Sequence, residues 1–282
     1  MPLITSNSMN LLDSIAASRK LATESMRQTL SILPGSTEIE FKDALLANLR
    51  SHKEFYPSGW YAPPPDGVCV LFDNQPFTRL QFDTIRDEKY WPGDSRFSSE
   101  SVGIVYCSPV NMKTSMIGDT GLTLYTGENL EIQAHIRNCY DAMLAAADLA
   151  QVGMRFNDLY TLAMKTFVDH GLTIGWMTTE HDATKGVNLG HTIPGSYGEP
   201  LPSGDFEETK EAIRSRRIYI NPVELFEIPE TCAFTFESRL TDMSLTQPNV
   251  FFHMVVSFSG GERKTITGFD GIFGDIGMKY ML

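Results

Sequence analysis

A chain of 282 residues with 42% hydrophobic content is long enough to bury one large core or two small ones, which excludes a disordered polymer. Its formal net charge of −12 argues against nucleic acid or an anionic membrane as the main partner, since both are held by Lys and Arg. No apolar run reaches the length of about 18 residues that a membrane span needs, and no basic-then-apolar leader opens the chain, so a cytoplasmic protein is expected.

In chain order, Ser18–Glu54 predicts a helix, a Pro-Gly turn and a second helix, whose start carries the capping-box pair Thr37 and Glu40. Phe41, Leu45, Leu46 and Leu49 give that second helix an apolar stripe. Val68–Phe72, Phe77–Phe82, Val102–Cys107 and Leu122–Tyr125 predict strands, punctuated by turn residues at Pro63–Gly67 and Trp91–Ser99. Ile136–Gly171 then repeats the opening plan, Arg19 falling on Arg137, Gly35 on Gly153 and Phe41 on Leu159. An extended run at Leu172–Met177 leads into a polar loop, in which His181 and Lys185 stand near His191 along the chain. A short helix is expected near Phe206–Arg214. Strands are expected at Ala233–Phe236, Val250–Phe258 and Lys264–Phe269, the last two joined by Ser259-Gly260-Gly261. Helical pairs interleaved with antiparallel strands mean an α+β fold, with no linker to divide it.

The basic cluster Arg214, Arg216 and Arg217 follows the acidic run Asp205–Glu211 and reads as a solvated helix with its own charge pairs. Cys69, Cys107, Cys139 and Cys232 form no CxxC pair, and their apolar neighbours favour buried free thiols. Three residues carry the most chemistry: Asp119 in GDTGLTLYTG, His191 in GHTIPGSYGEP and Glu237 in IPETCAFTFES. Taken singly, Asp119 reads as a turn residue, His191 as a loop histidine and Glu237 as a partner of Arg239. A carboxylate in a strand as apolar as CAFTFES is harder to set aside, because burying it unpartnered costs on the order of several kcal/mol. One histidine with two carboxylates suits zinc, iron or manganese with a position left for water.

In context and order these three segments resemble the creatinase, methionine aminopeptidase and prolidase family, over roughly Ser18 to Phe273. The resemblance implies the pita-bread fold, two pseudo-symmetric halves of helices packed on a curved antiparallel sheet. It also implies a single domain over residues 1–282, without the extra N-terminal domain of creatinases and prolidases, and a homodimer. The family holds two divalent ions on five ligands. Asp119, His191 and Glu237 match three of them, while Ser108 stands at the first aspartate and Phe252 at the late glutamate. No counterpart of the peptidases' upstream histidine appears between Val68 and Tyr90, and Gly198, beside Tyr197, stands where they often hold a second one. His253 joins the site only if a bulge turns it inward, and Arg239 shares a face with Glu237 if its strand continues.

Three functions follow from this pattern. The first is a metal-dependent, hydrolase-like enzyme with one ion on Asp119, His191 and Glu237, the latter two catalytic, acting on a small amino-acid-like or short peptide ligand; ordinary aminopeptidase activity is not expected. The second is a non-catalytic module that binds a peptide or protein in the cleft. The third is metal-free, creatinase-like hydrolysis, with His191 as general base and Glu237 orienting it.

Overall fold

The computed structural model describes residues 11–82, 84–174, 187–202 and 204–282. Helices α1 (Leu11–Thr29) and α2 (Glu38–Ser51) form the first hairpin. Thr37 Oγ1 accepts the Glu40 N–H at 3.1 Å and Glu40 Oε2 accepts the Thr37 N–H at 2.8 Å, which satisfies two amides that a helix start leaves open. Glu38, fully buried, accepts the Phe72 N–H at 2.6 Å and the Gly93 N–H at 2.8 Å, and so ties α2 to the sheet beside it.

That sheet is antiparallel, in the order β1 (Val68–Asp73), β2 (Val102–Cys107), β3 (Thr120–Tyr125), with Val70 opposite Val105 and Ile104 opposite Thr123. Every residue of β2 and β3 is buried, so both faces are covered, which explains their near-continuous apolar runs. The expected strand at Phe77–Phe82 is instead a short 3-10 turn at Thr78–Leu80. The Asp73 carboxylate captures the amides of Arg79 at 2.6 Å and Leu80 at 3.1 Å, and this local capture replaces ladder bonds.

Helices α3 (Leu130–Ala147) and α4 (Phe156–Asp169) form the second hairpin. Gly35 before α2 has φ +79° and Gly153 before α4 has φ +80°, the left-handed turn that a residue without Cβ adopts readily. β4 (Leu172–Ile174) follows; the rest of its expected run, with His181 and Lys185, lies outside the described residues. The chain continues through α5 (Phe206–Ser215), whose N-cap is Asp205, to β5 (Cys232–Phe236), β6 (Arg239–Asp242), β7 (Val250–Phe251), β8 (Met254–Ser259), β9 (Glu262–Ile266) and α6 (Asp270–Asp275). The sheets among the described residues are β1-β2-β3, β4-β6-β7 and β5-β8-β9, all antiparallel in pairing. The fold is α+β.

The strand expected at Val250–Phe258 is broken at Phe252 and His253. Phe252 turns into an aromatic cluster with Tyr140, Phe269 and Phe273, at ring distances of 4.8, 5.8 and 6.3 Å, and the His253 N–H crosses to the Gly121 carbonyl at 2.8 Å. The break lets one chain segment serve two sheets. All four cysteines are buried free thiols, and no helix among the described residues is long and apolar enough to cross a membrane. Replacing Thr37 by Ala removes one half of the capping box and is expected to lower stability by about 1 kcal/mol in denaturant titrations; an unchanged midpoint would contradict that role.

Candidate functional site

Asp119 immediately precedes β3 and is 2% exposed. Its carboxylate accepts the Trp60 indole N–H across both oxygens, at 2.9 and 3.0 Å, and the Tyr106 O–H at 2.8 Å. Burial pushes its pKa up to about 7, against these hydrogen bonds and the charges of Arg19 and Arg217. Trp60 is fully buried and meets the His191 ring edge-on at 5.9 Å, so one indole touches both Asp119 and His191.

His191 follows Gly190, whose φ is +147° and where a Cβ would come within 2.1 Å of the Thr235 carbonyl oxygen. Only glycine allows that approach, and through it the His191 N–H reaches Thr235 Oγ1 at 2.9 Å, while the Thr235 N–H reaches the His191 carbonyl at 2.7 Å. The His191 ring therefore lies beside β5, where Glu237 stands one residue past the strand end. Nδ1 of His191 is 2.9 Å from the Thr192 carbonyl and must donate to it, so Nε2 carries the lone pair; it lies 3.5 Å from Glu237 Oε1. Thr235 Oγ1–H donates to the same oxygen at 3.0 Å.

The break at Phe252 brings in His253, which the sequence admitted only on condition of a bulge. Its Nε2 is 3.7 Å from Glu237 Oε2 and its Nδ1 accepts from the Arg19 guanidinium at 3.0 Å, so the proton sits on Nε2. Burial pushes Glu237 up to about 7, with the Asp119 charge adding to the effect and Thr235 and Arg217 opposing it. Burial and then the Arg217 charge lower His191 to about 3; burial, Arg19 and His191 hold His253 well below the usual imidazole range. Both histidines are neutral at neutral pH.

These groups open onto a cleft with Trp60, Tyr61, Phe82, Tyr106 and Phe251 in its walls, and with Arg217 and Arg239 beside His191 and Glu237. Arg239 stacks 3.9 Å from the Phe82 ring centre and donates to the Phe82 carbonyl. The expectation of a solvated cluster holds for Arg216 but not for Arg217, which is only 8% exposed and lies 4.7 Å from the Trp60 ring centre and 5.2 Å from that of Tyr219. Tyr197 packs on Phe226 at 5.2 Å and bonds Thr192, while Gly198 is exposed. Trp60, Tyr106, Arg19 and Arg217 were not anticipated as site residues; each reaches the site through partners distant in the chain.

The donor set does not fit the expected divalent ion. One indole N–H, shared across both oxygens, and a phenol O–H already bond the Asp119 carboxylate, and neither an indole N–H nor the Nε2–H of His253 has a lone pair for a metal. Ser108 accepts the Tyr61 N–H at 3.1 Å and donates to the Gly67 carbonyl at 3.0 Å, and Phe252 faces the aromatic core. Among the described residues no three His, Cys, Asp or Glu side chains are placed to hold an ion.

No protein-family model matches the chain, and no curated protein matches it. Solved structures do. The prolidase from Pyrococcus horikoshii superposes with a TM-score of 0.63 at 12% identity, covering 92% of this chain and 62% of its own. The methionine aminopeptidase from Rickettsia prowazekii gives 0.63 at 15%, covering 93% and 98%, and the X-Pro aminopeptidase from Thermotoga maritima 0.58 at 15%, covering 90% and 61%. The chain thus spans about three-fifths of the prolidase and X-Pro aminopeptidase chains and nearly all of the methionine aminopeptidase. At such identities the likeness is one of fold, and the fold is the one shared by prolidases, X-Pro aminopeptidases and methionine aminopeptidases.

Proposed function

We propose that this protein is a pita-bread enzyme that acts by general acid–base chemistry on a small amino-acid-like or peptidic compound, without a divalent ion. The observation that carries the proposal is Glu237, a buried carboxyl titrating near neutrality between a histidine lone pair and a histidine N–H. A proton-transfer group works best when its pKa lies near the working pH, and Glu237 meets that condition where His191, held to about 3, does not. The roles expected for the two are therefore exchanged. Glu237 takes and returns the proton, with Thr235 fixing its Oε1. Neutral His191 accepts a hydrogen bond at Nε2 from the ligand or from protonated Glu237. His253 offers its Nε2–H to negative charge that develops beside Glu237. The substrate class is carried over from the peptide-cleaving fold neighbours, and the matched left-handed turns at Gly35 and Gly153 support two related halves.

Elemental analysis after incubation with zinc, manganese or ferrous iron is expected to find well under one ion per chain, unchanged by His191→Ala. A stoichiometric ion that disappears in that variant would overturn the metal-free assignment. Across a panel of dipeptides, N-acyl amino acids and guanidino acids, turnover should resist chelators and fall about 10²- to 10⁴-fold in Glu237→Gln. Binding of a panel member without turnover would instead make the cleft a non-catalytic binding site.

The raised Glu237 pKa also has a stability signature. Below its unfolded pKa of about 4.3 the carboxyl is protonated in both states and carries no penalty. As pH climbs to about 7 the unfolded chain releases the proton while the native state keeps it, so native stability falls by about 3 kcal/mol and then levels off. Glu237→Gln has no such loss, and its melting temperature relative to wild type should rise between pH 4.5 and 7.5. A difference that is flat with pH would show that Glu237 titrates like an ordinary glutamate.

A further inference from the structure

Trp60 is fixed at both ends. Its main-chain N–H donates to the Ser108 carbonyl at 3.0 Å, the Tyr61 N–H donates to Ser108 Oγ at 3.1 Å, and Gly59 and Gly67 close against the same hydroxyl. Ser108 stands one residue past β2, so this segment is clamped to the end of that strand. At the other end the indole N–H spans both oxygens of Asp119, just before β3. Tyr61 and His191 meet the ring edge-on at 5.4 and 5.9 Å, and the Arg217 guanidinium lies 4.7 Å from its centre. Fully buried and so held, the indole cannot swing out of the cleft wall it forms.

That placement decides what Asp119 can bind. A cation chelated by a carboxylate sits between its two oxygens, and the indole N–H already lies on that approach, 2.9 Å from one and 3.0 Å from the other. The Tyr106 O–H is a second donor, to Oδ2 at 2.8 Å. The same indole touches the His191 ring, whose Nε2 lies 3.5 Å from Glu237, so an ion shared by Asp119 and His191 would compete with it at both residues. A carboxylate buried this deeply has to be satisfied by donors or by a cation. Phenylalanine at position 60 would keep an aromatic wall but offer no N–H, leaving Oδ1 without its donor. We propose that Trp60 is a positioning residue that closes Asp119 to divalent ions: its indole N–H stands in for a cation on the carboxylate, and without it Asp119, His191 and Glu237 form a site for one ion such as zinc or cobalt(II).

This assignment rests on the metal-free reading of the site, and the test separates the two. Cobalt(II) is titrated into the full chain and followed by visible absorption, a readout that a merely structural role of Trp60 would not move. Wild type should give no new band. Trp60→Phe should take up about one cobalt per chain, and bind zinc in calorimetry at least about tenfold more tightly than wild type. Both gains should vanish in the double variants Trp60→Phe/Asp119→Ala and Trp60→Phe/His191→Ala. A stoichiometric ion on wild type that His191→Ala removes would overturn the metal-free reading. No ion on either wild type or folded Trp60→Phe, or an ion on Trp60→Phe that survives Asp119→Ala, would leave that reading standing and overturn the role of Trp60. Where Trp60→Phe does not fold, the chain carrying Trp91→Phe and Trp176→Phe, with Trp60 as its sole tryptophan, decides the matter by NMR of its ¹⁵N-labelled indole. That N–H should resist exchange with solvent deuterium and stay unmoved by zinc; rapid exchange, or a shift with zinc, would overturn the proposal.

Discussion

The buried guanidinium of Arg19 holds together parts of the chain that no sheet ladder connects. From α1 it donates to the main-chain carbonyls of Asp119 and His253, to the carbonyl of Thr267 at 2.8 Å, and to Nδ1 of His253 at 3.0 Å. Asp119 lies just before β3, His253 in the gap between β7 and β8, and Thr267 just after β9. Carbonyls at such breaks have lost their strand partners and, when buried, must find others. One arginine supplies all three, with the Phe269 ring 5.5 Å from its guanidinium carbon. Burial lowers its pKa to about 10, which still leaves it charged at neutral pH. Where the sheets end and where the site begins are thus set by the same side chain.

That arrangement propagates into the chemistry through hydrogen-bond direction. Arg19 can only donate, so Nδ1 of His253 can only accept, and the proton is forced to Nε2, toward Glu237. The Thr192 carbonyl can only accept, so His191 is forced into the opposite tautomer and presents a lone pair to the same glutamate. Glu237 therefore has an acceptor near one oxygen and a donor near the other. An ion on Asp119, His191 and Glu237 would have to displace the indole N–H and the phenol O–H from the Asp119 carboxylate. Asp119, bonded by Trp60 and Tyr106, acts on Glu237 through its charge.

What could be seen in the sequence divides along the range of the interactions. The helical hairpins were legible because their stripes and the Thr37–Glu40 box act within one or two turns, and β1, β2 and β3 because strands buried on both faces read as apolar runs. His191 and Glu237 were legible by local context, and the structure does bring them together. The 3-10 turn at Thr78–Leu80 was hidden, since Phe77–Phe82 is as apolar as a strand and only the Asp73 carboxylate diverts it. The break at Phe252 was hidden for a related reason: it depends on a cavity built by Tyr140, Phe269 and Phe273 from elsewhere in the chain. Arg217 misled most, because three basic residues after an acidic run look solvated until Trp60 arrives over one of them.

Ser108 limits what its position can hold. Cβ atoms added to Gly59 and Gly67 would approach its hydroxyl within 2.4 and 2.5 Å, so both glycines press their bare backbones against a side chain with no room to lengthen. An aspartate placed there would collide with main chain on two sides, and a glutamate at position 252 would be placed among three aromatic rings. A carboxylate cannot be introduced at either position by a single substitution without displacing what packs around Ser108 and Phe252. Any change of activity is therefore easier to build on the arginine-lined cleft than on added anions at these two positions.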